Sequence, residues 1–153
     1  MLGLFKKKPV NYFSEEEKQQ IVDAIQKAEL RTSGEIRIYI ESKCGEQDPV
    51  KRAGILFQEL KMHETAAQNG VLIYLAMQDR KLAVFGDEGI HQKVGNDFWN
   101  KEVEKILSQF NQQNFTTGIT GMIHAVGEAL VTHFPYDADT DENELPDDIV
   151  FGK

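Results

Sequence analysis

Asn69-Gly70 leads into Val71-Leu72-Ile73-Tyr74-Leu75-Ala76, a run that is apolar on both faces of an extended chain. A strand with no polar face has to be covered on both sides, and in a domain of this size helices are the covering elements. The run therefore predicts the middle of a layered α/β core, and the rest of the chain has to supply helices for both faces. Gln78-Asp79-Arg80 turns the chain, and Lys81-Leu82-Ala83-Val84-Phe85 returns as a hairpin partner.

The flanking segments fit that plan. Ser14 followed by Glu17 has the spacing of a capping box, and Ile21, Val22, Ile25 and Ala28 recur at helical intervals until Thr32-Ser33-Gly34 breaks the pattern. Glu35 to Glu41 alternates strictly, with Ile36, Ile38 and Ile40 on one face and Glu35, Arg37, Tyr39 and Glu41 on the other, which reads as a strand near a sheet edge. Asp48-Pro49 suits an N-cap with proline at the first helical position, ahead of Ala53, Leu56, Phe57 and Leu60. A strand, a helix and the buried strand in succession predict a parallel pair, so that with the hairpin the sheet is mixed. Asn96 is placed to cap a third helix carrying Trp99, Val103, Ile106, Leu107 and Phe110, and Thr117 a fourth carrying Ile119, Met122, Ile123, Val126 and Leu130. The fold class expected is α/β: a three-layer α/β/α sandwich, with a small mixed sheet flanked by helices on both faces.

Composition narrows the partners and the compartment. The net charge of −8 argues against nucleic-acid phosphate as a ligand. The acid is concentrated at the end, where residues 137–153 carry a net charge of −6. A single cysteine, Cys44, rules out an internal disulfide, and no apolar run approaches the ~20 residues that span a bilayer. Met1 to Pro9 puts its lysines after a very short apolar patch, the reverse of a secretory signal, so the expected address is cytoplasmic. The chain divides into a flexible N-terminal segment (1–11), one α/β domain (12–135) and an acidic C-terminal tail (136–153).

Two groups of polar residues fall at opposite ends of such a sheet, about 20 Å apart at ~3.3 Å per strand residue. Ser42, Cys44, Gln78, Asp79 and Arg80 gather at one end. Glu35, Asn69 and the segment Gly86-Asp87-Glu88-Gly89-Ile90-His91 gather at the other. Gly86 and Gly89 permit close backbone approach, and Asp87, Glu88, Glu35 and Asn69 offer oxygen ligands of the kind that hard cations take, with His91 for a softer ion. The plainer alternative is a solvated acidic turn. Asp137, Asp139 and Asp141 imitate the start of a calcium loop, but Glu142 stands where such a loop needs glycine. P-loop, dinucleotide-binding and nucleophile-elbow motifs are absent.

Thr32-Ser33-Gly34-Glu35-Ile36, Asn69-Gly70-Val71-Leu72-Ile73, Asp79-Arg80 and Gly86-Asp87-Glu88-Gly89-Ile90, taken in that order, resemble the TPM-domain family, in its soluble bacterial branch. The likeness covers about residues 12–134. It implies an α/β/α sandwich, a divalent cation (calcium or magnesium) at an acidic cleft, acid phosphatase activity in some members, and action through partners, membrane proteins among them, in others. It lends weight to Asn69, Asp79, Arg80 and the Gly86 to His91 segment. The chain departs from the pattern at Gln68, where many members have aspartate, and at Gly86 to His91, where many have G-Y-G-L-E. Those departures bear on phosphatase chemistry more than on cation binding. The expectations are a weak divalent-cation site at Asp87, Glu88, His91, Glu35 and Asn69 with optional phosphatase activity, or a non-catalytic interaction module.

Overall fold

The computed structural model describes residues 8–45, 47–108, 115–136 and 148–152. In chain order its main elements are α1 (Glu15–Glu29), β1 (Glu35–Glu41), α2 (Pro49–Glu59), β2 (Gly70–Ala76), β3 (Lys81–Gly86), α3 (Glu88–Leu107), α4 (Phe115–His133) and β4 (Val150–Phe151). The strands form one sheet in the order β3-β2-β1-β4, with β1 parallel to both β2 and β4 and β3 antiparallel to β2. This is the α/β/α sandwich with a mixed sheet that the buried run demanded.

Each face of the sheet has its own apolar core. Ile36, Ile38, Ile40, Val71, Ile73, Leu75, Leu82 and Val84 pack under α1, α3 and α4, against Ile21, Ile25, Ile119, Ile123 and Val126. Leu72, Tyr74, Ala76 and Ala83 face the other way, against Ala53, Leu56 and Phe57 of α2 and Met62 of the one-turn helix Met62–Glu64. Every residue of β2 is buried, which is why its sequence carries no polar face.

The helix starts follow from the residues that precede them. Ser14 and Glu17 make both halves of the capping box, at 3.1 and 2.9 Å. The Glu17 carboxylate also accepts from Thr116 Oγ1 at 2.7 Å, which ties the first turn of α1 to that of α4. The Ser14 amide, then Thr116, hold the Glu17 carboxyl below its ordinary range. Asp48 accepts from the Val50 amide at 2.8 Å, with Pro49 at the first helical position of α2.

The structure corrects one expectation and completes two others. The Gly86 to His91 segment is not a loop: Asp87 is the N-cap of α3, its side chain accepting from the Glu88 amide at 2.8 Å, and the helix runs from Glu88. An aspartate followed by glutamate is a good helix start, and the two flanking glycines obscured it. Asn96 therefore opens only the second part of α3, after a break at Gly95, whose φ of 77° lies in the left-handed region. The polar face of β1, on which the alternation places Glu35, Arg37, Tyr39 and Glu41, is covered, with Glu35, Arg37 and Glu41 all buried. Val150–Phe151 pairs with Tyr39 and Ile40 as an outer strand, so β1 lies next to the edge, as its alternation implied, with the two-residue β4 outside it. Phe110, most of the tail and residues 1–7 of the N-terminal segment lie outside the described residues.

Two glycines on helices separate conformational from packing effects. A Cβ at Gly89 would lie 2.5 Å from the Ala67 carbonyl oxygen and 2.6 Å from that of Gln68, both backbone atoms with little freedom to retreat. Gly89→Ala is expected to destabilise the fold by about 2 kcal/mol. A Cβ at Gly121 in α4 would meet nothing within 4 Å. Gly121→Ala is expected to stabilise by about 0.5–1 kcal/mol through helix propensity. Urea unfolding of the two variants beside the parent checks both signs.

Candidate functional site

The starts of β1 and β2 and the end of β3 form one corner of the sheet. Glu35 is in register with Gly70, and Val71 with Gly86. The Asp87 amide donates to the Gly70 carbonyl at 2.9 Å, and the Glu35 amide to the Asn69 carbonyl at 3.3 Å. Parallel pairing of β1 with β2 and the hairpin return of β3 thus bring Glu35, Asn69 and Asp87 to the same corner, as their places in the sequence implied. Glu35 and Asn69 are almost fully buried, at 2% and 1% exposure.

Two acceptor oxygens stand out there. Asn69 donates through its side-chain nitrogen to Ser33 Oγ at 3.2 Å and through its amide to Thr65 Oγ1 at 3.3 Å, while its Oδ1 is buried with no hydrogen-bond partner among the described residues. Asp87 uses Oδ1 to cap α3, and its Oδ2 is likewise buried with no partner among the described residues. Buried oxygens of this kind are costly unless a donor or a cation meets them. The positive end of the α3 dipole favours the Asp87 carboxylate and opposes a cation beside it, so any cation site here is weak.

The other two candidate ligands are engaged on the helix itself. Glu88 is exposed and accepts from Gln92 Nε2 at 2.9 Å, one turn along α3. His91 Nδ1 accepts from Trp99 Nε1 at 3.0 Å, which places the proton of the neutral imidazole on Nε2. Among the described residues no three His, Cys, Asp or Glu side chains converge to hold a metal ion.

The opposite end of the sheet holds a polar cluster that the sequence reading missed. Both Glu41 oxygens accept from Arg52, from Nε at 2.9 Å and from Nη2 at 3.0 Å, and Tyr74 Oη donates to the same carboxylate. Tyr39 stacks on Tyr74 with ring centroids 6.3 Å apart. Burial, then the Glu41 carboxylate, push both phenols above their ordinary value. The signal was present in outline: Arg52 stands four residues before Leu56, on the border of the buried stripe of α2, where its charge needs a partner. Asp79 serves this end as well, its Oδ2 accepting from the Cys44 and Gly45 amides at 2.9 and 3.0 Å and so clasping the β1–α2 loop to the β2–β3 turn. Its neighbour Arg80 takes a left-handed φ of 53° in that turn.

The sequence pattern of the TPM domain matches residues 7–129, and the chain belongs to that family. It is similar to the BA42 protein of the psychrophilic bacterium Bizionia argentinensis, known from an NMR structure, with 44% identity, a TM-score of 0.83, and 93% of this chain and 97% of that one covered. The N-terminal domain of a P. gingivalis protein is similar in fold, with 12% identity, a TM-score of 0.66 and 83% of each chain covered. So is the N-terminal domain of a Corynebacterium glutamicum protein, with 14% identity, a TM-score of 0.56, and 77% of this chain and 74% of that one covered. No curated protein matches the chain. Among the described residues no helix is long and apolar enough to cross a membrane.

The buried ion pair and the surface pairs are expected to differ in weight. Glu41→Ala leaves Arg52 and Tyr74 without their acceptor and is expected to cost about 3 kcal/mol. Glu128→Ala removes the exposed pair with Arg31 and is expected to cost less than about 1 kcal/mol. Chemical denaturation of each variant reads the difference. Because the folded state holds the Tyr39 and Tyr74 protons more tightly than the unfolded chain, their contribution is complete below about pH 10 and is lost as pH rises beyond it. A titration of the tyrosine ring carbons by NMR is expected to show both rings ionising above the ordinary phenol range.

Proposed function

We propose that this TPM domain binds a divalent cation, calcium or magnesium, weakly at the sheet corner formed by Glu35, Asn69 and Asp87. The observation that carries the reading is the pair of buried acceptor oxygens, Asn69 Oδ1 and Asp87 Oδ2, that no donor among the described residues meets. Both are hard oxygens in the same corner as the Glu35 carboxylate, and an amide oxygen with two carboxylates is a donor set that calcium and magnesium accept, with water making up the remaining ligands. Glu88 and His91, included in the expected ligand set, border the corner from the first turns of α3.

Weak phosphate-ester hydrolysis would draw on the same corner, where a bound cation supplies electrophilic assistance. His91, with its neutral-form proton on Nε2, is suited to donating a hydrogen bond to a phosphate-ester oxygen. The alternative, a role in protein interaction, has separate support at the outer edge of β1.

Calcium titration followed by amide shifts tests the site. Shifts are expected at Gly70, Asp87 and Glu88, with a Kd of about 10⁻⁴–10⁻³ M, the range of sites with few protein oxygens. Asp87→Asn is expected to weaken binding at least tenfold, and Glu88→Gln to change it less than about twofold. Shifts confined to residues 137–148, or a full response retained in Asp87→Asn, would remove the corner as the site.

A further inference from the structure

The outer strand β4 is unusually slight. Its ladder with β1 spans Tyr39↔Val150 and Ile40↔Phe151 and is extended by the Gly152 amide, which donates to the Ile40 carbonyl at 2.7 Å. Strands in globular proteins normally have three or more residues, so so short a pairing depends on the tether that keeps the segment near the sheet.

The side chains of this segment meet distinct features of the edge. Ile149 and Phe151 pack against the larger core, and Lys18 Nζ lies 5.7 Å from the centre of the Phe151 ring. Gly152 lies against the Tyr39 hydroxyl and ring, where any Cβ would collide. Asp148 comes alongside Arg37 when the register is followed back, and its charge acts on the Arg37 guanidinium. Arg37 is only 9% exposed, and its Nε has no hydrogen-bond partner among the described residues. An unpaired row of backbone groups flanked by side-chain positions of fixed preference is how β-augmentation sites read an extended peptide.

We infer that the outer edge of β1 is a peptide-docking groove, occupied in cis by Asp148–Gly152, which takes a separate extended peptide of the pattern acid, aliphatic, any, aromatic, glycine when the resident strand is displaced. A separate peptide fits better than a tail exchanged with a second copy. Residues 137–147 carry Asp137, Asp139, Asp141, Glu142, Glu144 and Asp147 with no lysine or arginine, and exchange would set two such segments side by side.

The test uses the full chain and a fluorescein-labelled peptide with the sequence of residues 147–153. Gly152→Val displaces the resident strand by collision with Tyr39, and Phe151→Ala displaces it by removing its aromatic anchor. In both variants the Tyr39 and Ile40 amides are expected to lose exchange protection, while those of β2 and β3 keep theirs and so report an intact fold. The labelled peptide is expected to bind both variants at least tenfold more tightly than the parent chain, by anisotropy, and to restore the Tyr39 and Ile40 shifts. A peptide with valine in place of its glycine is expected not to bind. The inference is overturned if protection at Tyr39 and Ile40 survives both substitutions, if the peptide binds parent and variants alike, or if the variants take up no peptide. Sedimentation showing a tail-exchanged dimer in place of peptide binding overturns it as well.

Discussion

Burial of β2 on both faces is the constraint from which the rest of the molecule follows. Its seven residues, Gly70 to Ala76, have almost no solvent contact, so each side needs a complete apolar cover. The chain meets this with α1, α3 and α4 on one side and α2 with a single helical turn on the other. Each fully buried isoleucine or leucine contributes about 2 kcal/mol from removal of apolar surface, and β1 and β2 together place most of theirs at the centre. The parallel register of these two strands then determines which polar residues meet at either end.

The two ends are organised on different terms. At the Glu41 end the polar groups satisfy one another: Arg52 grips both carboxylate oxygens, Tyr74 completes the set, and Asp79 clasps the neighbouring loop. Such a closed network fixes geometry and leaves little acceptor capacity for a ligand. At the Asp87 end Asn69 Oδ1 and Asp87 Oδ2 are buried with no hydrogen-bond donor among the described residues. The proposed cation site rests on that contrast rather than on acidity alone.

The corner is legible in the sequence, but the conformation at its mouth is not. Asn69-Gly70 and Gly86-Asp87 are local markers of strand ends, and strand order follows from the strand–helix–strand pattern, so the meeting of Glu35, Asn69 and Asp87 was legible. Asp87 as a helix cap was not, because glycine on either side is equally at home in a loop. The ligand roles expected of Glu88 and His91 rested on that loop. On a helix, residues one and four past the cap turn outward or sideways, toward Gln92 and Trp99. The Glu41–Arg52–Tyr74 cluster escaped notice because its members lie far apart in sequence, and alternation in β1 distinguishes two faces without telling whether the second is wet or dry.

The elements, their order and the layered class are written in the chain, because hydrophobic period, capping residues and turn residues are local quantities that each segment carries within itself. Tertiary contacts alone determine where polar side chains find partners: β4 pairs outside β1, and α2 lying over β2 and β3 draws Arg52 to Glu41. Those outcomes depend on contacts between segments tens of residues apart, whose free energies are settled by packing and desolvation once the sheet has assembled and are not written in any single window of the chain.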